Sequence, residues 1–140
     1  MTLTIERFKD AQERNYASAL AEIRNGEKRT HWIWYVFPQM RGLGHSYFAS
    51  LYGIKDQKEA EDYLNDITLG GRLREITTAL YELYGKTADQ IFGELDAMKV
   101  KSSMTLFDYI CPDDIFAKVL DKYYDGKRCG LTIDLLNREN

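Results

Sequence analysis

Apolar positions return every three to four residues along most of this chain, the spacing of helices that bury one face. Tyr16, Ala19, Leu20 and Ile23 stand at i, i+3, i+4 and i+7, and Asn25-Gly26 then supplies a C-terminal stop. Asp56 followed by Glu59 resembles a capping box that opens a stripe of Ala60, Tyr63, Leu64 and Ile67. Leu69, Leu73, Ile76, Leu80, Leu83 and Tyr84 mark the longest and clearest amphipathic helix, with Gly85 suited to a left-handed C-terminal position. Thr87 with Gln90 predicts another cap, leading to Ile91 and Phe92. Leu95, Met98, Ser102, Leu106 and Tyr109 continue the pattern to Pro112, and Phe116, Val119, Leu120 and Tyr123 define a helix closed near Gly126. The stretch Leu131 to Leu136 alternates like a strand, yet Leu131 and Leu135 are also i, i+4; it is read as a short helix docking on the others.

One segment breaks the rhythm. Trp32-Ile33-Trp34-Tyr35-Val36-Phe37 is apolar throughout, so periodicity alone fits a buried strand or a buried helix. No second convincing strand exists to pair with it, which favours a helix ended by Pro38. On a helix, His31, Trp34, Tyr35 and Pro38 share one face, and Trp32, Ile33, Val36 and Phe37 lie largely on the other. The expected fold is all-α, a single compact multi-helix domain over residues 1–140.

Composition narrows the class. Ten Tyr, six Phe and two Trp in 140 residues supply ample apolar surface for a core. A net charge of −3 argues against a general nucleic-acid binder, which normally carries a basic face; here acidic residues interrupt Arg14, Arg24, Lys28 and Arg29. Cys111 and Cys129 show neither metal spacing nor a C-x-x-C pattern, and reduced thiols in a cytoplasmic protein are expected. No metal site and no cofactor are expected. The N-terminal residues lack the order of a signal peptide, and no apolar run is long enough for a bilayer, so no membrane partner is expected.

The candidate chemistry gathers after Pro38. Gln39, Arg41, Gly42, Gly44, His45 and Ser46 follow the aromatic run. Glycines let backbone approach a ligand, Ser46 is a plausible N-cap for a helix from Tyr47 to Tyr52, and Arg41 suits phosphate or carboxylate. With His31 and Trp34 these residues outline a pocket with an anion-binding rim and an aromatic floor. The alternative is an aromatic core followed by a glycine-rich turn, with Arg41 in a structural ion pair. A second candidate is Lys101-Ser102-Ser103, whose hydroxyls either close against a neighbouring helix or point into the same pocket. Asp96 and Asp108 flank that stretch and are candidate general bases if hydrolysis occurs; caps or surface pairs are the competing reading. No H-x-x-x-H, G-x-S-x-G or P-loop pattern is present, and Gly42-Leu43-Gly44 lacks the third glycine of a dinucleotide fingerprint.

These residues resemble the DUF1810 family, bacterial proteins of unknown function, some of which are labelled calpastatin. The resemblance rests on His31-Trp32-Ile33-Trp34-Tyr35-Val36-Phe37-Pro38-Gln39 leading into Arg41-Gly42-Leu43-Gly44 and Ser46. It continues through Tyr52-Gly53-Ile54, Glu59-Ala60, Tyr63-Leu64, Leu69-Gly70, Arg72-Leu73, Ile91-Phe92-Gly93 and Lys101 to Phe107. It implies an all-α single domain and no settled activity. Where many members carry Asp, this chain has Cys129. A fainter likeness, in the aromatic segment and the late helices, is to NADAR-type proteins acting on ADP-ribose N-glycosides. The expected function is therefore binding of a small anionic or nucleotide-like ligand between residues 31–46 and the helix at 101–105. The alternatives are a protein–protein interaction module without catalysis and an N-glycosidase-like enzyme; the oligomeric state stays open.

Overall fold

The computed structural model describes residues 3–138. Among them are nine helices: α1 (Glu6–Arg24), α2 (Ile33–Val36), α3 (Tyr47–Leu51), α4 (Gln57–Asn65), α5 (Ile67–Glu82), α6 (Ala88–Phe92), α7 (Glu94–Ile110), α8 (Ile115–Tyr124) and α9 (Gly130–Arg138). Extended pairing among the described residues is limited to one parallel bridge between Met40 and Ile54. The chain is an all-α domain, and residues 131–136 belong to a helix.

The ends follow from local chemistry. Ser46, Asp56 and Asp66 each accept a backbone N–H from the first turn of the helix they precede. Thr87 and Gln90 form the reciprocal capping box expected of them. Asn25 ends α1, and Gly26 follows at φ +77°, a left-handed value that glycine adopts without strain. The expected box at Asp56 is only half made. Glu59 does not reach back to Asp56; it accepts the Lys55 N–H at 3.0 Å and turns to Arg7.

The buried face of each helix meets one continuous core. α7 sits at its centre, packed on α4, α6, α8 and α9, while α5 joins α1, α4 and α8. A file of rings crosses the interior: Phe8 on Tyr63 at 5.0 Å, Tyr63 on Phe107 at 5.5 Å, and Phe107 on Phe116 at 5.7 Å. It links α1, α4, α7 and α8.

Several apolar residues expected on buried stripes face outward. Ile67, Tyr84, Leu95 and Met98 are 93%, 98%, 74% and 63% exposed. Asp66 caps a new helix, so Ile67 opens α5 instead of continuing α4. In α7 the buried arc runs through Ala97, Val100 and the unbroken stretch 102–107, because helices pack on it from several sides. α1, with 19 residues, is longer than the 16-residue α5.

Two polar networks seat the aromatic segment. Gln12, buried in α1, donates its Nε2 hydrogens to the Tyr35 carbonyl (2.7 Å) and the Tyr63 hydroxyl (3.0 Å). Arg72 donates to the Gln12 Oε1 at 3.4 Å. Burial raises the Tyr63 phenol above its ordinary pKa, so the hydroxyl stays protonated. Arg7 ties α1 to the loop before α4. Its Nε donates to the Leu51 carbonyl, its two terminal nitrogens to Thr4 and Gly53 carbonyls and to both oxygens of Glu59.

Candidate functional site

The aromatic segment does not form a long helix. It makes the single turn α2, with Trp32, Ile33, Val36 and Phe37 buried. That leaves Trp34 and Tyr35 half-buried and His31 exposed, all on one side, and all three line a cleft of about 600 Å³. The opposite wall is α1, through Asp10, Ala11, Arg14 and Asn15. Phe48 and Tyr52, from α3 and its end, close the third side. The volume falls within the range of small-molecule sites.

The aromatic lining is ordered by its own contacts. Tyr52 stacks on Phe48 at 6.1 Å and meets Tyr35 edge-on at 5.2 Å. The Tyr35 hydroxyl accepts a hydrogen bond from Asn15 Nδ2 (2.7 Å) and donates to the His31 carbonyl (3.2 Å). The Lys99 ammonium stands over the Trp34 ring, 4.3 Å from its centroid. Asp96 holds Lys99 at 3.1 Å and Lys28 at 2.8 Å, and these bonds outweigh burial and lower the Asp96 carboxyl. By contrast Asp10, Arg14 and His31 take part in none of the ion pairs among the described residues.

Glu22 sets the position of His31. Its carboxylate accepts from the Arg29 and Thr30 backbone N–H groups, the Thr30 hydroxyl and the Trp32 indole N–H, at 2.6–3.0 Å. Burial alone would raise this carboxyl, but the hydrogen bonds prevail and bring its pKa down to about 2. A depressed folded-state pKa stabilises the fold above the unfolded value of about 4.3, and that stability is lost as pH falls toward 2. Glu22→Gln is therefore expected to be less stable than wild type at neutral pH, with the gap closing in acid. Urea melts across pH 2–7 check this; a pH-independent gap would rule out the carboxylate as the cause.

The loop after Pro38 lies outside this cleft. The Gln39 carbonyl accepts the Ile54 N–H (2.9 Å), and the Arg41 N–H donates to the Ile54 carbonyl (2.8 Å). A Cβ on Gly53 would stand 2.7 Å from the Arg41 Cα, so glycine permits this close crossing. Arg41, Gly42, His45 and Ser46 are exposed, and Gly42 takes φ +106°. Ser46 caps α3, but none of Gln39, Arg41, Gly42, Gly44, His45 and Ser46 lines the cleft.

No curated protein matches the chain. The sequence profile described as "Protein of unknown function (DUF1810)" matches residues 2–136. The chain belongs to the DUF1810 family. It is similar to the conserved hypothetical protein Rv1873 from Mycobacterium tuberculosis, known from a crystal structure. The two are 43% identical, with a TM-score of 0.93 over 95% of this chain and 96% of that one. Neither the family description nor that structure's name carries an activity.

In this DUF1810 chain the second candidate segment faces α9, away from the cleft. The Ser102 hydroxyl lies 3.1 Å from the Met98 carbonyl and 3.4 Å from Cys129 Sγ. Thr105 donates to the Lys101 carbonyl (2.8 Å) and accepts the Cys129 N–H (2.9 Å). Ser103 is fully buried, and Lys101 is half-buried. Lys101, Ser102 and Ser103 are not among the residues that line the cleft bordered by His31, Trp34 and Tyr35. α7 reaches the aromatic segment one turn earlier, at Lys99. Hydroxyls at i, i+3 mark a face suited to close helix contact, and here α9 occupies it. Asp108 pairs with Arg128 at 3.2 Å, so Asp96 and Asp108 both stand in ion pairs, the reading set against a general base for them, and neither lines the cleft. Among the described residues no group of His, Cys, Asp or Glu is placed to hold a metal, both cysteines are free, and no helix is long and apolar enough to cross a membrane.

Asp10, Arg14, Asn15, Phe48 and Tyr52 join the site from outside the segment singled out in the sequence. The available signal was weak: Asp10, Ala11, Arg14 and Asn15 repeat at i, i+1, i+4 and i+5, one face of a helix. Charged residues on such a face ordinarily mark contact with solvent.

Proposed function

We propose that the cleft between α1, α2 and α3 binds a small planar anionic ligand of nucleotide-like chemistry. The observation that carries this reading is the pairing of an aromatic lining with a guanidinium, Arg14, that is in none of the ion pairs among the described residues. Trp34, Tyr35, Phe48 and Tyr52 offer faces and edges to a flat ring, and Arg14 and His31 stand at the same cleft. Stacking on aromatic faces is tolerant of ring type, while a guanidinium gives a phosphate or carboxylate two directed hydrogen bonds. Arg7, Lys28, Arg74 and Arg128 are held by carboxylates; Arg14, Arg24 and Arg41 are in none of the ion pairs among the described residues, and of these three Arg14 is the one that lines the cleft.

Arg14→Ala is expected to weaken binding of adenosine 5′-monophosphate by about tenfold or more, the effect of losing a charge-assisted contact. Because Arg14 is exposed on a helix, the variant should melt with the wild type. Calorimetric titration and thermal melts of both proteins make the comparison. Failure of a panel of mononucleotides and other planar aromatic anions to bind wild type would overturn the reading.

A further inference from the structure

An anion-binding cleft has an obvious reason to contain Arg14 and none, on that ground alone, to contain Asp10. The two stand four residues apart on α1, an axial step of about 6 Å. At i, i+4 they are spaced for an ion pair, yet no such pair is among those the described residues form.

The rest of the lining divides between these two poles. Asn15, Tyr35 and His31 are joined by hydrogen bonds and belong to the Arg14 end. Tyr52, with Phe48 stacked on it, belongs to the Asp10 end. The Phe8 ring meets Tyr52 at 6.0 Å, and Arg7 donates to the Leu51 and Gly53 carbonyls on either side of it, so the Asp10 half of α1 is the half that runs beside Tyr52. The cleft is therefore dipolar along α1: cationic at one end, acceptor-only at the other.

An ionised carboxylate can only accept hydrogen bonds, so Asp10 repels a ligand that brings nothing but negative charge. The ligand must present donors about one helical turn from its anion. A ribose esterified at its 5′ oxygen has this layout: phosphate at one end of the sugar, and two adjacent hydroxyl donors at the other. A carboxylate reading a ribose hydroxyl is a recurrent solution in nucleotide sites.

Resting on the cleft reading above, we propose that the ligand is a ribonucleoside 5′-monophosphate, its phosphate on Arg14 and His31 and its 2′,3′-diol on Asp10. The base then lies against the aromatic wall of α2 and α3. Asp10 is the residue that selects ribose over deoxyribose.

The test compares adenosine 5′-monophosphate with its 2′-deoxy and 3′-deoxy analogues by calorimetric titration against wild type, Asp10→Ala and Asp10→Asn. Asp10 is exposed on α1, and unchanged melting temperatures establish that the variants fold. The expected result is a preference of about tenfold or more for the ribonucleotide in wild type. In Asp10→Ala the three ligands should converge, the ribonucleotide losing most and each deoxy analogue, which keeps one hydroxyl, losing less. Equal binding of all three to wild type, or a preference that survives in Asp10→Ala, overturns the diol assignment and leaves the cleft reading standing. Binding of other planar anions without nucleotides does the same. Absence of binding by any planar anion overturns both.

Discussion

Replacing Arg7 with Ala is expected to remove about 3–5 kcal/mol of stability, the cost of stranding a buried charge. The Arg7 and Glu59 side chains are 9% and 6% exposed, and their bidentate pair measures 2.9 and 3.1 Å. All five guanidinium donors are used, three of them on the Thr4, Leu51 and Gly53 carbonyls. The substitution thus leaves a buried carboxylate without its counter-ion and with only the Lys55 N–H as donor, and two buried or half-buried carbonyls without donors. Its ring contact with Phe8, 4.3 Å from guanidinium to centroid, goes as well. Lys cannot reproduce five donors in one plane, so Arg7→Lys should recover little of the loss. In urea melts, a double variant with Arg7→Met and Glu59→Leu should lose much less than the two single effects added together. A drop below about 1 kcal/mol for Arg7→Ala would put this pair among ordinary surface bridges.

The same pair sets a pH response. Burial opposes ionisation of Glu59, but Arg7 and the Lys55 N–H overcome it and lower the carboxyl. A lowered folded-state pKa stabilises the fold above the unfolded value and ceases to do so as pH falls through the folded one. Glu59 and Glu22 therefore weaken the fold together in acid, one at the base of α4 and the other at the loop that carries His31.

What the sequence could disclose depended on the range of the interaction. Caps are local, and Ser46, Thr87 and the Asn25-Gly26 stop were readable because each bonds within a few residues. Helix existence was readable for α5 and α8, where one side is buried and the other wet. α7 misled because it is enclosed by neighbours: its small residues Ala97, Ser102 and Ser103 face inward, while Leu95 and Met98 face solvent. Burial there follows the number of packed partners, which periodicity does not record. The shared face of His31, Trp34 and Tyr35 was also readable, since it needs only one helical turn. The far wall was not. Arg7 meets Glu59 across 52 positions, and Gln12 meets Tyr63 across 51; neither pairing leaves a local pattern. Asp10 and Arg14 were hidden for the opposite reason. They lie on an exposed helix face, and only the approach of α2 and α3 turns that face into the wall of a cleft.

Two adjacent glycines in α5 are expected to respond to the same substitution with opposite signs. Gly70 is buried where α5 begins against the end of α4. A Cβ there would stand 2.0 Å from the Leu64 carbonyl oxygen and 2.9 Å from its carbon, far inside a contact distance of about 3.5 Å. The obstacle is backbone, so no rotamer change relieves it. Helix propensity favours Ala over Gly by at most about 1 kcal/mol, and cannot offset the separation of α4 from α5. Gly70→Ala should fall at or beyond the upper end of the roughly 1–3 kcal/mol lost on overpacking. At exposed Gly71 a Cβ meets nothing within 4 Å. Gly71→Ala should therefore stabilise the chain by about 0.5–1 kcal/mol, because alanine restricts the unfolded backbone and suits a helix interior. Parallel urea melts decide it. If Gly70→Ala were neutral, the α4–α5 junction would have to be looser than the 2.8 Å bond from the Gly70 N–H to the Asp66 carbonyl implies. The turn that Asp66 caps holds α4 against α5, and with α1 packed on α5 it keeps the Asp10–Arg14 face in place opposite the aromatic segment.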